Sequence, residues 1–541
     1  MEDGTSIELY SPLIPSNNDV NNDNDDDEEK AYEALLDRVG FGKFHVFLLL
    51  VCGWANASDA VEILCVSFVL PSAECELSLT PGDKGVLTAV IFLGMMFGGC
   101  LWGNLGDWIG RRITLVTSLL LNSFGGAISA FAGSFTLFTF ARFLSGVGVG
   151  GSVPVIWSYF AEFQVARNRG TMLSLLACSW MVGNIITAGL AWILIPRKTL
   201  SLFLVFRTLS AWRIFVLLCV LPALTAALLL YFFPESPKFL IKTGRGPEAK
   251  SVLLSIKRVN DGRLGGRADD NDLQSPLFAD SRDARKQHQQ QRRTSLIRRC
   301  AEKILQLFRR PHAGNNAVML VIFATISFGY YGMWLWMPEL FSMAEKSGHA
   351  PCALHVFFND SSTAPEAAAP PAEDSMTMMS TSISPTDDRC FASDATYRDS
   401  LISTVATLPG NLVSIFCVDR LGRKPLLVLS MIVSGVSVFF IPLVSTGDQL
   451  LALSCCFGGF SVIGWNALDC LSCELFPTEL RSTAIGLQLG LGRVAAVVAN
   501  LIFGQLIAVN CAVPILLVAA CMVVGGLCSL RLPSTTGVVL S

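Results

Sequence analysis

Three carboxylic acids stand where a membrane-spanning chain tolerates them least. Asp59 and Glu62, three residues apart and so on one face of a helix, interrupt one long apolar run, and Asp469 interrupts another. A charge at bilayer depth costs about 2.5–3.5 kcal/mol on an insertion scale unless it meets water or a partner. These acids therefore predict a water-filled cavity. Aromatic and amide residues share the same kind of run: Trp180 and Asn184, four apart; Tyr331 beside Tyr330, with Trp334 following; and Trp465 and Asn466 just ahead of Asp469. Acids beside aromatic walls suit a small organic solute, either a cation held by cation–π contact or a sugar held by stacking. The acids themselves are suited to take a proton or a cation.

A second set of charges repeats. Asp107 and Asp419 are 312 positions apart, and so are Arg111 and Arg423, Glu162 and Glu474, and Arg169 and Arg481. The first turn runs from Gly103 through Asp107 and Gly110 to Arg111 and Arg112, and the second from Asp419 through Gly422 to Arg423. Four matches without drift mean two halves built on one plan, as in many transporters. Gly103 and Gly110 are expected to let the flanking helices approach, with Glu162 and Glu474 joining Arg169 and Arg481 in a charged latch between conformational states. The alternative is a plain positive topology signal.

The elements that must position these groups are helices. Hydrophobic residues make up 52% of the 541-residue chain and charged residues 15%, with a mean hydropathy of +0.52. A run of roughly 20 apolar residues crosses a hydrocarbon core as a helix, because lipid leaves no other partner for backbone groups. Twelve runs qualify: 44–70, 83–104, 112–132, 135–163, 168–195, 212–233, 316–341, 396–418, 424–444, 447–474, 480–508 and 510–531. The expected fold is an all-α membrane protein of two pseudo-symmetric six-helix bundles, 44–233 and 316–531. Lys and Arg crowd the short loops on one side, which places both termini in the cytosol. Arg142, near a helix end, reads as structural and paired to an acid.

Outside the bundles lie an acidic disordered tail (1–43) with an amphipathic piece near Tyr32–Val39, a basic cytosolic connector (234–315), an outer loop (342–395) and a short cytosolic tail (532–541). Asn359 in the outer loop is the expected glycosylation acceptor, whereas Asn56, inside a span, should stay unmodified. Cys352 and Cys390 bracket that loop and are the expected disulfide partners. Neither a metal-ligand spacing nor a nucleotide-binding loop is visible, so no metal, cofactor, nucleic acid or catalytic residue is expected.

The Gly-x-x-x-Asp-x-x-Gly-Arg-Arg turn, Arg142-x-x-x-Gly146 and Pro234-Glu235-Ser236-Pro237 resemble the major facilitator superfamily. Asp59 to Glu62 running on to Phe68 through Glu74, Ser145 to Pro154, and Trp465 to Asp469 resemble the synaptic vesicle glycoprotein 2 family. The resemblance covers about residues 40–533. It implies a glycosylated synaptic or secretory vesicle membrane protein whose relatives tune exocytosis through synaptotagmin. The outer loop departs from the pattern: vertebrate members carry a longer one with pentapeptide repeats that serves as a neurotoxin receptor, and that role is not carried over. Two readings follow. One is a secondary transporter of a small organic solute, coupled to a proton or cation. The other is a non-transporting vesicle regulator working through cytosolic partners.

Overall fold

The computed structural model describes residues 30–197, 202–204, 207–261, 275, 278, 302, 304–347, 393–476 and 478–533. A short helix α1 (30–39) precedes six long ones: α2 (Lys43–Ala73), α3 (Pro81–Ile109), α4 (Arg111–Phe131), α5 (Phe135–Glu162), α6 (Ala166–Leu194) and α7 (Ala211–Tyr231). Between α6 and α7 a small antiparallel hairpin pairs β1 (Leu202–Leu204) with β2 (Arg207–Leu209). Two connector helices follow, α8 (Pro237–Lys242) and α9 (Gly246–Asn260). The second half holds α10 (Ala313–Trp334), α11 (Met337–Ser347), α12 (Asp394–Val405), α13 (Thr407–Leu421), α14 (Arg423–Phe440), α15 (Gly447–Glu474), α16 (Thr478–Leu506) and α17 (Ala512–Ser529).

Twelve helices among the described residues are long and apolar enough to cross a membrane, one running through α12 and α13 over 394–418. Local chemistry sets several starts. Thr80 and Asp83 form a reciprocal cap on α3 with Pro81 in its first turn, and Ser134 and Thr446 cap α5 and α15. Large apolar side chains face outward, Phe47, Phe97, Phe124 and Phe416 being more than half exposed, as a lipid-facing surface requires.

The 312-residue offset persists in three dimensions. α3 ends at Gly110 (φ 105°, ψ 160°) and α13 at Gly422 (φ 87°, ψ 153°), a backbone region close to glycine-only. Arg111 meets Glu162 at 3.5 Å, and Arg423 meets Glu474 at 3.1 Å. One charged corner is built twice.

Within the first half, small residues set the crossing of α3 and α5. A Cβ added to Gly98 would lie 2.1 Å from the Val147 carbonyl oxygen, and one on Gly150 would lie 2.2 Å from that of Met95. Gly103 has no such role, since a Cβ there would meet nothing within 4 Å. Its expected part in helix approach is therefore corrected.

Two further expectations change. The seventh span ends at Trp334, seven residues early, where the chain breaks before entering α11. Residues 30–43 are not a free tail: Tyr32, Leu35, Leu36 and Val39 are buried in an apolar cluster with Leu253, Leu254 and Ile256 of α9. Tyr32 donates from its hydroxyl to the Glu162 carbonyl oxygen at 2.7 Å, and Asn260 accepts from the Phe44 amide at 3.1 Å.

Candidate functional site

The two halves meet around a narrow cavity with free space for about one water molecule. Its wall is Ala60, Ile63 and Leu64 of α2, Trp180 and Asn184 of α6, and Tyr330, Tyr331 and Trp334 of α10. Helical spacing explains the set: Trp180 and Asn184 are one turn apart, as are Tyr330 and Trp334. Trp334 stacks on Tyr330 with centroids 5.7 Å apart, and Trp465 stands edge-on to Tyr330 at 6.0 Å. Trp465 also contacts Tyr331 at 6.0 Å, and its Nε1 is buried without a hydrogen-bond partner. An indole N–H left unmatched in an aromatic wall is a donor available to a ligand.

Asn466, the next residue, donates to Asn411 Oδ1 at 2.7 Å. Asp469 is exposed, one turn from Trp465 along α15 and so on the same helical face.

Asp59 and Glu62 lie elsewhere. Both are buried inside the first half, where Glu62 pairs with Arg142 Nη1 at 2.5 Å and Asp59 accepts from the Ser152 hydroxyl at 2.8 Å. They do not share an open space with Asp469, which corrects the single acid-lined cavity expected from sequence. The reason is rotational: α2 turns Ala60, Ile63 and Leu64 toward the cavity, so Asp59 and Glu62 face α5. Breaking a buried pair such as Glu62–Arg142 costs about 3–5 kcal/mol, because one charge is left uncompensated.

The charged turns are occupied within their own halves. Arg111 bridges Asp107 at 2.8 Å and Glu162, while Glu235 accepts from the Arg112 amide at 3.0 Å. Arg169 pairs with Glu33 of α1 at 3.2 Å rather than with Glu162, and Glu474 pairs with Arg423 rather than Arg481. Sequence spacing cannot rank these partners, because Arg111 and Glu33 reach them only through tertiary packing. Gly422 caps its turn as Gly110 does, and the side chain of Asp419 lies outside those described.

Thr407 and Asn411 of α13 reach Met181 and Cys178 of α6, and a further set of contacts joins the halves at the other end. Lys84 of α3 bridges Glu339 of α11 at 2.5 Å and Glu74 at 3.1 Å. Ser67 donates to the Leu335 carbonyl at 2.5 Å, and the Tyr397 hydroxyl meets Ser72 Oγ at 2.5 Å. Gly85 and Gly504 bring α3 and α16 together, a Cβ on Gly504 lying 2.6 Å from the Gly85 Cα. The cavity is therefore closed at the end away from the charged turns.

At that closed end Cys75 and Cys511 each take part in a disulfide, whereas among the described residues twelve other cysteines are free. Cys352, Cys390 and Asn359 lie outside the described residues. Asn56 is buried and donates to Ser179 and the Leu176 carbonyl, leaving no room for a glycan. Among the described residues no group of His, Cys, Asp and Glu forms a metal site.

Arg493 was not singled out from sequence. It lies in α16, donates from Nη1 to the Tyr331 hydroxyl at 3.1 Å, and its guanidinium lies 5.5 Å from the Tyr331 ring and 5.9 Å from the Phe92 ring. The signal that finds it is the one that found Asp469, a lone charge within an apolar span.

Two six-helix halves related by an internal repeat, closed over a central aromatic cavity, define a transporter-like membrane protein. Residues 49–346 match the family model for sugar (and other) transporters, and residues 399–538 match that of the major facilitator superfamily. Synaptic vesicle glycoprotein 2C of Rattus norvegicus is 30% identical, the match covering 95% of this chain and 82% of that protein. Synaptic vesicle glycoprotein 2A of Homo sapiens is 32% identical, with 94% and 80% covered. The fold also matches the partially occluded, inward-open xylose transporter XylE of E. coli, with a TM-score of 0.63 at 17% identity over 92% of this chain and 100% of that one. The chain belongs to the major facilitator superfamily, in its synaptic vesicle glycoprotein 2 family.

Proposed function

We propose that this chain is a secondary transporter that carries a small organic solute across a vesicle membrane by alternating access, coupled to protons or a cation. The observation that carries this reading is the aromatic cavity between the halves, sealed at one end by Lys84–Glu339 and the Tyr397 hydrogen bonds. A central site reached from one side at a time is what alternating access requires. The charged turns, rich in Arg, fit the cytosolic side, and the disulfide-bonded Cys75 and Cys511 fit an oxidising lumen. In that orientation the termini are cytosolic and this state is closed to the lumen.

Trp180, Asn184, Tyr331 and Trp465 form the solute site, with Asn466 bracing it through Asn411. Asp469 is placed to exchange a proton with water on the cytosolic approach. Asp59 and Glu62 act inside the first half, where they tie α2 to α5. Movement rather than chemical conversion is the assigned activity.

A second reading, a vesicle regulator that binds synaptotagmin or another cytosolic partner, is favoured by one observation: α1 and α9 build a packed platform beneath the first half. Uptake into proteoliposomes across sugars, amines and amino acids, with and without a pH gradient, separates the two. Asp469→Asn should abolish pH-dependent uptake while the protein still reaches its membrane. Trp465→Ala should weaken solute affinity without changing the pH dependence. If Asp469→Asn and Trp465→Ala both leave uptake and binding intact, the cavity is not the working site and the regulator reading takes precedence.

A further inference from the structure

We infer that the solute taken by this cavity is a small organic anion, with a carboxylate held by Arg493. The inference rests on the transporter reading and names its substrate class. Among the described residues Arg493 is the cation hydrogen-bonded to a cavity-lining side chain, and it has no carboxylate within ion-pair distance. Its known contacts are the Tyr331 hydroxyl and two ring faces, which orient the guanidinium without neutralising it. Arg142, fully buried in the first half, contrasts with it because its charge is paired with Glu62. A cation at membrane depth is costly when unpaired, and such residues mark substrate paths. The cavity wall offers no acid to compensate it, because Asp59 and Glu62 face α5.

Further hydrogen-bond donors lie near this point. The Trp465 Nε1 is unmatched and the Asn184 amide lies in the wall. A planar carboxylate fits a guanidinium fork with two parallel hydrogen bonds, and its single negative charge would cancel that of Arg493. The loaded cavity would then be neutral, which favours occlusion away from water. The aromatic wall takes the remaining apolar part of the solute. An uncharged sugar would leave the guanidinium without a counter-charge.

The test uses the purified full chain in lipid nanodiscs, with tryptophan fluorescence and thermal shift as readouts. The probes are matched pairs, benzoate with benzamide and lactate with lactamide, plus glucose. The carboxylate of a pair should bind roughly tenfold or more tighter than its amide, the gain expected of one charge-assisted hydrogen bond. Arg493→Gln should collapse that ratio to about one, while Arg493→Lys should retain part of it, since the charge remains but the fork is lost. If Arg493→Gln does not fold, the wild-type ratio and its change in Arg493→Lys decide the matter. Equal binding of carboxylate and amide, or a ratio unchanged in the variants, overturns the inference. Glucose binding that is indifferent to Arg493→Gln overturns it too, yet leaves the transporter reading standing. If no probe binds, the inference falls, and the proteoliposome uptake panel of sugars, amines and amino acids decides the transporter reading separately.

Discussion

Glu76 shows how one side chain serves the closed end of the bundle. It lies in the loop after α2, accepts from Trp212 Nε1 at 2.6 Å and from Arg213 Nε at 2.8 Å, and pairs with Arg213 Nη2 at 2.8 Å. Arg213 also donates to the carbonyls of Ala130 and Ala132. Burial works against the Glu76 charge, but the hydrogen bonds and charge of Arg213, aided by Trp212 and Ser210, outweigh it and lower its pKa from the ordinary value. The sign follows from linkage. A carboxyl with a lowered folded pKa contributes stability that is complete above its unfolded value of about 4.3 and is lost as pH falls through the folded value. The thermal midpoint of the wild type should therefore drop below about pH 4.3. Glu76→Gln should start lower at pH 6 and lose less over the same window. Parallel pH curves for the two proteins would show that Glu76 contributes nothing to folding.

At the scale of an element, the two repeated turns differ in what surrounds them. Gly110 and Gly422 share a backbone region that side chains avoid, but a Cβ on Gly110 would also lie 2.3 Å from Glu235 Oε2. That glutamate ties α4 to the residues after α7 through the Arg112 amide and the Ser236 amide. Gly422→Ala should cost about 1–3 kcal/mol from backbone strain. Gly110→Ala should cost more, because the same strain comes with displacement of Glu235. Denaturation of the two variants in detergent checks the ranking, and equal losses would mean that Glu235 moves aside freely. The comparison separates the shared architecture of the repeat from a contact that only the first half owns.

The whole molecule is held in its present state by contacts between halves at the closed end. Lys84 and Glu339 are 255 residues apart in sequence and almost buried where they meet. Lys84→Met leaves Glu339 without its bridge, and Glu339→Gln weakens the bridge while preserving shape; both should shift the population toward opening at that end. A cysteine introduced at Asn184 of the cavity wall should then react faster with a membrane-impermeant reagent added from the luminal side. Unchanged labelling in both variants would mean that the tight approach of Gly85 and Gly504, rather than the ion pair, sets the closed state.

Much of this architecture is readable along the chain, because it depends on local quantities. An apolar stretch of sufficient length must be a helix in lipid, so the twelve spans emerge within a few residues, the seventh excepted. The charge repeat is likewise local to each turn, and it returned as two equivalent ion pairs. Trp180, Asn184 and Tyr331 were visible as polar or aromatic interruptions and do line one cavity. What sequence spacing leaves open is which surface lies opposite each face. Asp59 and Glu62 share a face, but packing of α2 on α5 turned that face inward to Ser152 and Arg142. Arg169 went to Glu33 because α1 docks beneath the bundle, a contact that no helical period encodes. Arg493 acquired its meaning only where α16 meets Tyr331 and Phe92. Helical periodicity fixes the angle of a side chain around its own axis; the rotation and depth of neighbouring helices, set by close packing across hundreds of residues, choose its partner.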